Sequence, residues 1–134
     1  MSKTISFRLP DVVADRVAER AASRGGESGS EVYRRVIEEW LRLQEHPGIR
    51  FVDGPTGRRA ALADGPDVWE VVSLARAFDF DGDRLAAAYP WLTPEGLETA
   101  RRYAEAHPDE IEARIAANAR AAEELERELN ALGA

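Results

Sequence analysis

The sequence predicts a mainly α-helical protein with a short β ribbon, and three observations carry that expectation. Residues 4–9, TISFRL, alternate polar and apolar without a fault and stop at Pro10. The chain that follows repeats its apolar residues at helical spacing, broken by Gly- and Pro-rich punctuation. Residues 108–134 then place apolar positions in steps of four and three, the spacing of a helical seam. Three segments are expected: 1–44, 45–107 and 108–134.

In the first segment, Thr4, Ser6 and Arg8 would share one face of a strand, and Ile5, Phe7 and Leu9 the other. A lone strand leaves its backbone donors and acceptors unpaired. With only helices beside it, the expected partner is the same strand of a second copy. Such a two-stranded ribbon has the width of the DNA major groove. Pro10 opens a helix whose Val13, Val17 and Ala21 recur on one side. Gly25 and Gly26 end it. Ser28, with Glu31 three residues on, is a capping box for a second helix. The expected buried stripe of that helix is Val32, Tyr33, Val36, Ile37, Trp40 and Leu41, with Glu38, Glu39 and Arg42 in solvent. A piece of 44 residues buries too little surface for a durable core. Dimerisation is therefore expected, with Ile5, Phe7, Leu9, Val36 and Trp40 in the shared core.

Strand, helix, loop and helix, with RLP ending the strand and SEVYRRV opening the second helix, resemble the ribbon-helix-helix family of bacterial repressors and antitoxins, the Arc and MetJ type. The resemblance covers residues 3–43. It implies that the outward strand residues, here Thr4, Ser6 and Arg8, read bases. It also implies that the start of the second helix, at Ser28, Gly29 and Ser30, holds a DNA phosphate, with Lys3 adding a further phosphate contact. Arginine suits the first task, because its fork of donors matches guanine. Helix-start amides suit the second, because their N–H groups point outward at the positive end of the helix dipole. The plainer alternative is a dimerisation ribbon whose polar face meets only water.

Glu45, His46, Pro47 and Gly48 open the second segment. Residues 49–52 and 58–62 are expected as short strands around the turn at Asp53, Gly54, Pro55, Thr56 and Gly57. No Lys-Ser or Lys-Thr follows the second glycine, so the turn is not a nucleotide-binding loop. Arg58 and Arg59 could still touch an acidic partner or the DNA backbone. Asp67 caps a helix with Val68, Val71, Val72 and Ala75 on its apolar side and Trp69 beside it. A short helix starts at Asp81, Gly82 and Asp83 and ends at Tyr89. Thr93 and Pro94 then start a longer one through Leu97, Ala100, Arg101 and Ala104. Two helices around a tight turn have helix-turn-helix geometry.

The strings DVWEVV and AYPWLTPEGL, after paired short strands, resemble the bacterial family called domain of unknown function 433, over residues 46–106. Arg58, Arg59 and Ala60 stand where that family more often reads Gly-Thr-Arg-Ile-Pro. The resemblance implies a small, winged-helix-like antitoxin domain of VapB-like type II systems, encoded beside PIN-like ribonuclease toxins. Glu95, Glu98, Arg101 and Arg102 on the second helix are mixed in sign. A folded spacer or protein-binding module fits that mixture better than a DNA reader.

Pro108 starts the last helix. Ile111, Ile115, Asn118, Ala122, Leu125, Leu129 and Leu132 form a heptad seam with one polar break. By resemblance to antitoxins of this design, Ile111, Ile115, Leu125, Leu129 and Leu132 would anchor a toxin. Glu123, Glu124, Glu126 and Glu128 would meet its basic RNA path. The alternatives are a helix packed on its own domain and a self-associating coiled coil.

The charge pattern agrees with two roles. Residues 1–44 hold 8 Lys or Arg against 7 Asp or Glu, while residues 45–134 hold 10 against 18. A near-neutral head tolerates phosphate, and an acidic remainder suits a cationic protein partner. The absence of cysteine excludes disulfides, thiolate metal sites and a cysteine nucleophile, and agrees with a cytoplasmic location. Lys3, Arg8, Asp11 and Asp15 interrupt any leader-like run, and no apolar stretch approaches ~18 residues, so no membrane partner is expected. His46 and His107, the two histidines, each precede a proline and read as turn residues rather than catalysts. Asp79, Asp81 and Asp83 alternate like a calcium loop. The twelfth position is Pro90 or Leu92, so the bidentate glutamate is missing. No catalytic residue, metal or cofactor is expected.

The expectation is a bacterial type II antitoxin, non-enzymatic and homodimeric, or higher-order with its toxin. It would bind operator DNA through the ribbon and a PIN-like ribonuclease toxin through its C-terminal part. The alternatives are a stand-alone transcriptional repressor whose second domain senses a partner or ligand, and a scaffold with no DNA site.

Overall fold

The structure, a computed structural model, describes residues 1–133; Ala134 lies outside the described residues. Among these, six helices and one two-stranded antiparallel ribbon follow in order. They are α1 (Asp11–Ser23), α2 (Gly29–Glu45), β1 (Ile49–Gly54), β2 (Gly57–Leu62), α3 (Val68–Ala77), α4 (Gly82–Ala88), α5 (Pro94–Ala106) and α6 (Pro108–Gly133). No described helix is long and apolar enough to cross a membrane. The chain divides into two compact units, Met1–Arg42 and Leu43–Ala134. The second of these units includes α6.

In the first unit, Pro10 is the N-cap residue of α1, and both Gly25 and Gly26 take positive φ, +83°, between the helices. The α2 start is the expected capping box. Ser28 Oγ accepts from the Glu31 N–H at 3.2 Å, and a Glu31 carboxylate oxygen accepts from the Ser28 N–H at 3.3 Å. The expected burial does not follow. Ala21 is the buried residue of α1, and α2 has none. Glu39, expected in solvent, is instead largely covered and paired with Arg35 at 3.6 Å. Arg35 also reaches Glu27, which fixes the loop ahead of α2. Within one copy, α1 and α2 therefore enclose no core.

The second unit has a core. Its ribbon pairs Ile49 with Leu62 through to Gly54 with Gly57. Pro55 cannot take the positive φ of a mirror-image hairpin turn, so Gly57, at φ +103°, supplies the left-handed residue. Val68, Val71, Val72 and Ala75 of α3 are all buried, as their spacing predicts. The three valines pack with Ile49, Ala60, Leu62, Leu92, Ala100, Tyr103 and Ile111. Asp67 joins β2 to the start of α3. It forms a capping box with Glu70, accepts from the Trp69 indole at 3.0 Å and pairs with Arg59. Asp81 accepts from the N–H groups of Asp83 and Arg84, and Thr93 from that of Gly96, so α4 and α5 begin where their caps predict.

Candidate nucleic-acid and partner interfaces

The TISFRL segment carries no strand in the single chain: residues 1–10 are without regular structure and exposed. The correction has a plain cause, since a strand exists only through a neighbour's hydrogen bonds and one copy offers none. Nor is the expected division of faces clean. Ser6 shares a cavity wall with Ile5, Phe7 and Leu9 beside Ala14 and Tyr33. Phe7 meets Tyr33 edge-on, with centroids 5.9 Å apart. Thr4, Arg8 and Lys3 are exposed.

The residues expected in a dimer core are all open. Ile5 is 78%, Phe7 56% and Trp40 57% exposed, with Val36 and Leu9 also in solvent. Burying a fully exposed side chain of this kind supplies roughly 1.5–3 kcal/mol, and these forgo the share that their exposed fraction represents. At the start of α2, Gly29 and Ser30 fall among the first N–H groups, which have no intrahelical acceptor. Ser28 is less suited to phosphate than expected, because its N–H already donates to the Glu31 carboxylate. That carboxylate also sets a negative charge beside the proposed anion.

The hairpin arginines are used within the chain, which corrects their expected outward role. Arg59 pairs with Asp67, and Arg58 with Asp53 at 3.2 Å. On α5, Arg101 lies between Glu98 and Glu105, at 2.5 Å from each, and Arg102 lies 3.0 Å from Glu98. The hydrogen bond from Arg101, then that from Arg102, lowers the Glu98 pKa to about 2. This face is close to charge-balanced, which suits protein contact better than phosphate. A carboxyl-carbon titration should place the Glu98 midpoint near pH 2 in the intact chain. In Arg101→Ala it should rise toward the ordinary carboxylate range. Because the folded pKa is depressed, any stability Glu98 adds is present above its unfolded pKa of roughly 4.3. It is lost as pH falls toward 2.

The C-terminal seam is divided. Ile111 is buried in the core of the second unit and Ile115 packs against that core, so neither is available as a toxin anchor. From residue 116 to 133 every residue is exposed, a helical arm of roughly 27 Å at ~1.5 Å per residue. Leu125, Leu129 and Leu132 lie on it, Leu132 at 84% exposure. The root of α6 is tied down by contacts the sequence reading missed. Arg114 donates to the carbonyls of Thr56 and Arg58 at 2.6 and 2.9 Å, holding the hairpin tip, and Arg76 pairs with Glu112.

Two further features escaped sequence reasoning. His46, Tyr103 and His107 form a ring cluster with centroids 4.7–5.5 Å apart, and the Tyr103 hydroxyl donates to Glu110 at 2.9 Å. Both histidines do sit at element boundaries, as expected. A cavity of about 400 Å³ also opens between α3, α4 and α5, lined by Val72, Ala75, Leu85, Leu92 and Leu97. Phe80 stands at it in a left-handed conformation (φ 58°) after Asp79 (φ 52°). The Phe80 N–H closes the end of α3 on the Ala75 carbonyl at 2.7 Å. Left-handed backbone at a non-glycine residue costs about 1–3 kcal/mol, so the turn holds Phe80 outward at some expense. No grouping of three or more His, Asp or Glu side chains fit to hold a metal occurs among the described residues.

Comparison with known protein families, with curated proteins and with solved structures gave no match to this chain. The two family resemblances therefore rest on the residues that suggest them.

Proposed function

We propose that this chain is a cytoplasmic, homodimeric antitoxin that binds operator DNA and neutralises a PIN-like ribonuclease toxin. The observation that supports it best is the open apolar surface of the first unit. Ile5, Phe7, Leu9, Val36 and Trp40 are solvent-exposed in one copy, next to an alternating segment with no strand neighbour. A second copy supplies what both lack. Its own residues 4–9 complete an antiparallel ribbon, and its helices cover the apolar side. Thr4, Ser6 and Arg8 then stand outward twice, and Lys3, Gly29 and Ser30 flank them toward phosphate. In this reading the hairpin and the α4–α5 pair form a winged-helix-like module, and Leu125, Leu129 and Leu132 meet the toxin.

Arg8→Ala tests the DNA half. In a mobility-shift titration against the DNA upstream of its own gene, the variant should remain dimeric. Its preference for operator over random DNA should fall by about 1–3 kcal/mol for each guanine contacted. Unchanged preference would remove Arg8 from the reading surface. The toxin half predicts co-purification with the product of the adjacent gene.

One observation favours a second reading, a stand-alone repressor with a ligand-sensing second unit. It is the apolar cavity of about 400 Å³ beside Phe80, a volume that suits a small ligand. An adjacent gene with no nuclease product would support that reading over the first.

A further inference from the structure

We propose that residues 116–133 of α6 pair with the same segment of a second copy as a parallel, in-register, two-stranded coiled coil. The seam left open beyond Ile115 runs through Asn118, Ala122, Leu125, Leu129 and Leu132, all of them exposed. Steps of four and three give the 3.5-residue repeat that a straight helix meets only by winding around a partner. A helix docked on a globular surface needs no such strict repeat.

Asn118 and the flanking glutamates select the arrangement. In parallel register each seam residue faces its own counterpart, so the two Asn118 amides meet and hydrogen-bond. Ala121 then flanks Glu126 of the second copy, and no like charges face each other. An antiparallel pair has two usable registers. One sets Asn118 against Leu129, burying an amide beside an aliphatic chain. The other spares Asn118 by sliding, and sets Glu126 against Glu126 and Glu128 against Glu128. Only the parallel register satisfies both the amide and the carboxylates.

The open seam spans roughly two heptads, which is marginal for free helices. The proposal therefore rests on the pairing of the first unit, which makes the meeting of the two arms an event within one dimer. The leucines serve one occupant at a time, so a toxin that takes them must part the arms.

The absence of cysteine makes cross-linking in the full chain unambiguous. Leu125→Cys should form a disulfide-linked dimer under mild oxidation. Arg120→Cys, on the outer side of the coil, should give at least tenfold less. When Ala122→Cys and Leu132→Cys chains are mixed, each should link to itself and no mixed product should form. Circular dichroism checks that these exposed substitutions leave the helices in place. A chain that sediments as a dimer yet gives no Leu125→Cys link overturns the proposal alone, as does a dominant mixed product. A wild-type chain that sediments as a monomer overturns the pairing of the first unit, and this proposal with it.

Discussion

Phe7→Glu should convert the chain from a dimer to a monomer at micromolar concentration, with loss of specific DNA binding. Phe7 is half-exposed in one copy, where its ring meets that of Tyr33 edge-on. On the dimer reading it is sealed between the ribbon and the helices of both copies. A carboxylate at that position would carry two charges into one small core, each costing several kcal/mol without a partner. The first unit has a single buried residue, Ala21, in its first helix and none in its second, so it has little stability to set against that cost. Folding and association are then one event, and α1 and α2 should lose helical signal along with the dimer. Operator affinity should fall by about 10³-fold or more, to the level of non-specific binding. Thr4→Ala, on the opposite side of the segment, should leave sedimentation unchanged. A dimer that survives Phe7→Glu with its helical signal intact would place the interface elsewhere.

Tyr103→Ala should cost the second unit about 3–5 kcal/mol, the range for deleting a buried aromatic ring. Tyr103 is wholly buried, at 0% exposure, and is the largest side chain so enclosed. Its ring meets both His46, at the entry to the unit, and His107, where α5 gives way to α6. Its hydroxyl reaches Glu110 on the first turn of α6. Removing the ring therefore releases three segments at once, in a domain of the size whose total stability is typically 5–15 kcal/mol. Denaturant titration should show the second unit's transition at a much lower midpoint. Tyr103→Phe, which keeps the ring and drops the hydrogen bond to a carboxylate, should cost less, about 1.5–3 kcal/mol. Equal losses for the two variants would mean that the hydroxyl, and not the packing, holds the corner.

The helix starts were legible residue by residue. Ser28 with Glu31, Asp67 with Glu70, Asp81, and Thr93 with Pro94 all cap where the sequence places them. Capping is a contact over three residues, so it needs no knowledge of the rest of the fold. The four buried positions of α3 were legible for the same reason: spacing along one helix defines a face. Tyr103 was not, because its partners lie 57 residues before it and 4 and 7 residues after it, across a helix end. Arg114 was not, because the carbonyls it binds belong to a hairpin more than 50 residues away. Arg58 and Arg59 gave no sign in the sequence that Asp53 and Asp67 would take them.

The seam of α6 separates the two kinds of knowledge. Ile111 and Ile115 stand in the same repeat as Leu125, Leu129 and Leu132, and nothing in their spacing tells them apart. By itself the sequence determined that a helix would form there with one apolar stripe broken at Asn118, and that TISFRL would need a neighbour to become a strand. Tertiary structure alone decided where the stripe stops being core. Ile115 packs against the core while residues 116–133 are all exposed, and a side chain is buried only where another element lies against it.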